Sequence, residues 1–206
     1  MSVLGELASA LGRNDERPNV ELAEKLAASG DMAAIAELVG ALGGRTAIAN
    51  DAIKTLYEIG ERRPELIAGH ADAFFSALRS KNNRMAWGAM TALATIASVA
   101  GDTLAQRLPE IVAAADAGSV IAKDKAVAIL ATLVRDGRAA ATAPLLAMVE
   151  SAAVNQLPSY AEAALGVVSG EDRTTLAVII ASRLPDVPQP AKRARLEKVL
   201  RKLAKG

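Results

Sequence analysis

Apolar side chains recur at three- and four-residue intervals along nearly the whole chain. Ala52, Ile53, Leu56 and Ile59 fall at i, i+1, i+4 and i+7, which is one stripe of an amphipathic helix. No stretch keeps the strict alternation that a half-buried strand needs. Breakers interrupt the stripes at short intervals, among them Ser29-Gly30-Asp31, Gly43-Gly44, Arg63-Pro64, Lys81-Asn82-Asn83, Gly118-Ser119, Leu157-Pro158 and the stretch from Pro185 to Pro190. Several of them put Asp, Ser or Asn just ahead of the next stripe, where a side-chain oxygen can cap the first backbone N–H groups. This segmentation predicts an all-α chain of about twelve helices, each of roughly 11 to 18 residues, joined by short loops.

The stripes repeat. Steps of 37 residues lead from Leu38 to Phe75, Val112 and Val149, and from Ala41 to Leu78, Ala115 and Ala152. In the helices that follow, the same step joins Ala52, Ala89 and Ala126, then Ile53, Met90 and Val127. It also joins Leu56, Leu93 and Leu130, then Ile59, Ile96 and Leu133. A shift of 38 from this set reaches Ala164, Leu165 and Val168, and a further 35 reaches Val199, Leu200 and Leu203. Two helices per unit hold register together. A helix pair of this kind cannot bury its apolar face alone, so successive pairs stack into a solenoid.

Composition sharpens that reading. Of 206 residues, 46 are alanine and only five are aromatic: Tyr57, Phe74, Phe75, Trp87 and Tyr160. A core so poor in large side chains requires helix backbones to approach closely, and the repeat places an alanine at the head of each second-helix stripe. The net charge of +1 conceals an asymmetry. From Ala191 onward the chain carries +6, and residues 1–190 carry −5.

The stretch from Leu108-Pro109-Glu110-Ile111 to Ala115, followed by Gly118-Ser119 and then Val120 to Leu130, resembles HEAT-like members of the armadillo-type α-solenoids. It matches their first helix with a proline bend, the turn and a second helix of small and leucine positions. Pro144 looks like the same proline one unit on. The resemblance covers about residues 31–170 and implies a right-handed α-α superhelix of five or six antiparallel helix pairs. On this reading residues 1–206 form a single solenoid domain. Residues 1–30 would be the N-terminal capping helices, 31–170 the repeats of about 37 residues, and 171–206 a C-terminal capping pair with a basic last helix.

Little in the sequence speaks for catalysis. Cysteine is absent and His70 is the only histidine, which removes thiol chemistry and histidine-pair metal sites. His70 reads as a partly exposed helix residue. Gly40 to Thr46 lacks the lysine spacing and preceding strand of a phosphate loop, and Gly43-Gly44 reads as a helix stop. The expectation is therefore a non-enzyme with no cofactor and no metal. The N-terminal residues carry Glu6 ahead of any base and do not read as a secretory signal. The uncharged run Met85 to Ala100 falls short of a bilayer crossing. A soluble, cytoplasmic protein is expected.

In the resembling family the second helices line the concave face. With Leu56 inward, positions near 50, 54, 57 and 58 turn the other way at about 100° per residue. The register then aligns Asn50, Trp87 and Asp124, and beside them Lys54, Thr91 and Tyr57. These six are the candidate partner-binding residues, suited to a protein or peptide. The alternative is that Trp87 fills a gap left between alanine-rich repeats. In the basic tail, Leu196, Val199, Leu200 and Leu203 form a stripe that would pack as the terminal cap. The charges of Lys192, Arg193, Arg195, Lys198, Arg201 and Lys202 would then face outward as candidate anion-binding residues. The leading functional expectation is a non-catalytic interaction scaffold; the other is a nucleic-acid-binding protein that uses this basic helix.

Overall fold

The computed structural model describes residues 2–205, and among them every regular element is helical, with twelve α-helices and no strand. In chain order they are α1 (Arg17–Ser29), α2 (Met32–Gly40), α3 (Thr46–Arg62), α4 (Ala71–Leu78), α5 (Asn83–Thr95) and α6 (Gly101–Gln106). There follow α7 (Leu108–Ala117), α8 (Val120–Arg135), α9 (Thr142–Glu150), α10 (Leu157–Leu165), α11 (Glu171–Arg183) and α12 (Pro190–Leu203).

Local chemistry sets the boundaries. Gly30, at φ +67°, ends α1 with its N–H on the Leu26 carbonyl, and Asp31 then caps α2 by accepting from Ala33 and Ala34 at 3.1 and 3.0 Å. Asn82 caps α5 through the Arg84 N–H at 3.0 Å. Proline occupies the first turn of α1, α7, α10 and α12, where no helical N–H is lost. Gly43-Gly44 closes a short 3-10 turn after α2 and holds no phosphate loop. The helices run from 6 residues in α6 to 17 in α3, so the shortest fall below the expected 11. Tight 3-10 turns such as Pro64–Leu66 and Leu184–Asp186 take over residues that the apolar spacing alone assigns to longer helices.

The repeat register is also the burial register. Ala52, Ala89, Ala126 and Ala164 are all fully buried, as are Leu56, Leu93 and Leu130 and then Ile59, Ile96 and Leu133. Leu38, Phe75 and Val149 are buried in the first-helix column. Val112, Leu165 and Leu200 depart from the pattern and are only half-buried.

The chain divides into two compact units, Met1–Lys125 and Ala126–Gly206. In the first, α3 packs against its pair partner α2 and lies between α1 and α5, so second helices form a layer; α4 packs on α5. In the second, α10 packs on α9 and α12, while α11 packs on α9 and α12. The contact between α3 and α5 is unusually close. A Cβ on Gly60 would overlap the Thr95 side chain and come within 2.7 Å of Ile67 Cδ1, and one on Gly88 would lie 3.0 Å from Ile53 Cγ1.

Polar side chains link neighbouring pairs at about one repeat of separation. Arg62 meets Glu24 at 3.0 Å, Arg107 meets Asp72 at 2.7 Å and Arg79 meets Glu110 at 3.3 Å in the first unit. Arg195 meets Glu162 at 2.7 Å, and Arg183 donates to the Ala152 carbonyl at 2.8 Å, in the second. The Arg107 guanidinium also lies 3.7 Å from the centroid of buried Phe75, so this residue links charge to core. Among the described residues, no helix is long and apolar enough to cross a membrane.

Gly60→Ala gains helix propensity but adds a methyl where Thr95 already stands, and should destabilise the chain by about 1–3 kcal/mol in urea unfolding. Thr95→Ala removes the closest of the three contacts, with Thr95 Oγ1, and should relieve part of that loss in the double variant. Gly40→Ala meets open space at an ordinary φ and should instead be stabilising, by about 0.4–1 kcal/mol.

Candidate protein-docking site

Five of the six candidate partner-binding residues stand on the α3–α5 pair. Asn50, Lys54 and Tyr57 are spaced i, i+4 and i+7 on α3, and Trp87 and Thr91 are spaced i and i+4 on α5. The Tyr57 and Trp87 rings meet with centroids 6.1 Å apart at an interplanar angle of 48°. Lys54 Nζ lies 4.7 Å from the centroid of Tyr57. Asn50 Oδ1 accepts from Asn82 Nδ2 at 2.7 Å, so the α5 cap is tied to α3.

Exposure within this group is uneven. Trp87 is half-buried, less enclosed than Tyr57 and Thr91 on this face. Tyr57 and Thr91 are 7% and 3% exposed, which corrects the outward orientation expected of them. Neighbours on both sides of α3, namely α1 and α5, cover the flank that helical spacing alone leaves open. The Thr91 hydroxyl turns back to the Trp87 carbonyl at 2.9 Å and is satisfied within its own helix. Asp124 is exposed on α8, outside the α3–α5 pair.

Charges brace the aromatic pair. Lys54 Nζ contacts Glu58 Oε1 at 2.6 Å and Glu16 Oε2 at 3.4 Å, and Arg62 reaches the other Glu58 oxygen at 2.7 Å. Glu16 also pairs with Arg84 of α5. Desolvation is the largest single influence on both Lys54 and Glu58 and opposes their charge, but hydrogen bonds and charge attraction together outweigh it, from Glu58 and Tyr57 on Lys54 and from Lys54 and Arg62 on Glu58. The ammonium is held above its usual range and the carboxyl below its own. Burial pushes the Tyr57 phenol up, so the ring stays neutral.

Next to this group is a polar network that no spacing rule pointed to. Asp51 Oδ2 accepts from the Ser9 N–H at 2.7 Å and Asp51 Oδ1 from Asn19 Nδ2 at 2.9 Å. Asn19 Oδ1 accepts from the Ala8 N–H at 2.9 Å. Asn19 is fully buried and Asp51 8% exposed, so the N-terminal residues are pinned to α1 and α3 by a satisfied interior network. The one signal in the sequence was an acid, Asp51, directly beside the buried Ala52 column. A cavity of about 310 Å³ opens beside the network, lined by Ser9, Glu16, Asn50, Asp51 and Arg84 among others. The buried Ser9 hydroxyl has no hydrogen-bond partner among the described residues. The cavity offers hydrogen-bond donors and acceptors but no activated nucleophile. His70 is half-buried at the N-cap of α4.

In the second unit, Leu196, Val199 and Leu203 of α12 are buried, as a capping stripe requires. Two of its six candidate anion-binding residues are engaged internally. Arg195 chelates Glu162 of α10 and reaches Ser159 at 3.1 Å, and Lys192 contacts Asn155. Arg193, Lys198, Arg201 and Lys202 are exposed. No cluster of acidic, histidine or cysteine side chains suited to a metal occurs among the described residues.

No protein-family model and no curated protein sequence matches the chain. Among solved structures, the archaeal HEAT-like repeats protein from Thermococcus onnurineus NA1 is similar over 93% of this chain and 97% of that one, with a TM-score of 0.50 and 16% identity. The fold is that of HEAT-like repeats. Against this HEAT-like frame the 37-residue register is structural, and half-buried Trp87 stands outside its buried columns.

Because the Glu58 carboxyl titrates below its unfolded value, its stabilisation is present above about pH 4.3 and is lost as pH falls through the lower folded value. Glu58→Gln should cost about 1 kcal/mol at pH 7, and the gap to wild type should close in unfolding experiments below about pH 4.

Proposed function

We propose that the chain is a non-catalytic interaction scaffold that binds a protein or peptide partner on its second-helix surface, at the α3–α5 face around Trp87. The observation that carries this reading is a half-buried tryptophan set against Tyr57 beside a charged, partly buried frame of Lys54, Glu58 and Glu16. A pre-ordered aromatic with polar groups around it is the arrangement in which a few residues supply most of the binding energy. Asn50 lines the adjoining cavity and would add hydrogen bonding at the rim. HEAT-like repeats suit such a role because stacked pairs present an extended surface without needing a closed pocket.

The test is affinity capture from source lysate, with and without nuclease, comparing wild type with Trp87→Ala. Loss of a protein partner on substitution, at least tenfold and with circular dichroism unchanged, is the expected outcome. Capture that Trp87→Ala leaves intact would remove this surface from consideration. Capture abolished by nuclease would transfer the role to nucleic acid and the basic α12.

A further inference from the structure

The second unit carries a groove that the Trp87 site does not involve. Along α11, Thr174, Ala177, Val178 and Ala181 fall at i, i+3, i+4 and i+7, and with Leu200 of α12 and Ala204 just after it they line a cavity of about 630 Å³. The opposite side of α11, Leu176, Ile179 and Ile180, is buried in the unit. A helix face turned to water ordinarily carries charge. This one carries alanines and a valine that is 64% exposed. From Gly170 to Ala181 the groove follows α11 for about 17 Å at 1.5 Å per residue, the length of a three-turn helix.

Away from its acidic end, the groove is flanked by cations, which favour one kind of occupant. Arg173 lines the groove, donates to the Lys202 carbonyl at 3.0 Å and has no carboxylate partner among the described residues; its Nε is buried without an acceptor. Arg201 of α12 and Lys205, just beyond its end, directly follow the groove residues Leu200 and Ala204 and are exposed, and neither has an ion-pair partner among the described residues. Glu197 is the only acid in α12, and the acids of α11, Glu171 and Asp172, stand together in its first turn, at one end of the groove. Apolar floor and cationic wall are complementary to an amphipathic helix with carboxylates along one flank.

We propose that the α11–α12 groove docks an acidic amphipathic helix of a partner protein. Its apolar residues at i, i+3 or i+4 and i+7 lie over Val178, Ala177 and Leu200, and its Asp or Glu residues pair with Arg173, Arg201 and Lys205. Duplex nucleic acid would use the same cations but would have no use for Val178.

The probe is a display library of 14-residue helix-forming peptides panned against the full chain. Enriched peptides should combine an apolar heptad stripe with an excess of Asp and Glu. Their affinity should fall at least tenfold with Val178→Glu and with Arg201→Glu, and should be unchanged by Trp87→Ala, which separates this surface from the one proposed above. Val178 is mostly exposed, so its substitution leaves the fold intact, as circular dichroism would verify. Enrichment without acidic bias, or affinity indifferent to Val178→Glu, overturns the proposal. So does a concentration-dependent dimer in sedimentation that Val178→Glu dissolves, because the occupant is then a second copy. DNA retardation lost with Arg201→Glu but kept with Val178→Glu, in the absence of enriched peptides, overturns it in favour of nucleic acid.

Discussion

The backbones of α3 and α5 lie so close at Gly60 that the Thr95 side chain occupies the space a Cβ would take, and at Gly88 the Ile53 side chain does nearly the same. That approach is the constraint on which the first unit depends. Dispersion energy falls away within an ångström of optimal contact, so helices with small side chains gain cohesion only by bringing backbones together. The fully buried alanines Ala52, Ala89, Ala126 and Ala164 extend the same economy through both units. Such packing leaves little tolerance: a methyl added at Gly60 or Gly88 must displace the side chains of Thr95 and Ile67 or of Ile53.

Close stacking of small residues gives cohesion but little direction, because alanine surfaces fit one another in several registers. The polar links supply that direction. Arg62 to Glu24, Arg107 to Asp72 and Arg195 to Glu162 each span roughly one repeat, and each fixes which pair neighbours which. Exposed pairs of this kind contribute little energy singly. The buried Asn19–Asp51 network is different, since every misregistered alternative would leave a carboxylate and an amide unsatisfied in the interior.

The same logic explains where surface is left for partners. In a stack of alanine-rich helices most large apolar side chains are enclosed, and few keep surface open to water. Trp87 on the α3–α5 face and Val178 in the α11–α12 groove are two of them, in separate units and with opposite surroundings. Trp87 is braced by a frame that already pairs its own charges, whereas Val178 sits beside cations that lack carboxylates. The first surface suits shape and aromatic contact; the second suits a partner of opposite charge.

Much of the architecture is legible in the order of residues along the chain. Periodicity identifies about twelve helices, and the 37-residue register names the columns that turn out buried, because helix formation and burial of a stripe follow from local spacing. The candidate site is half legible. The register brings Asn50, Lys54, Tyr57, Trp87 and Thr91 to one helix pair, but does not show that Tyr57 and Thr91 are enclosed. Exposure depends on what packs on the far side of a helix, and one helix carries no record of its second neighbour. The Asn19–Asp51 network, the ion pairs around Lys54 and the groove along α11 lie beyond reach for the same reason. The sequence by itself determined the helices, their period and their inward faces, since these are properties of residues a few positions apart. Tertiary structure alone decided which outward faces stay open and which charges find partners on other helices, because those outcomes join residues from different helices, mostly twenty or more positions apart.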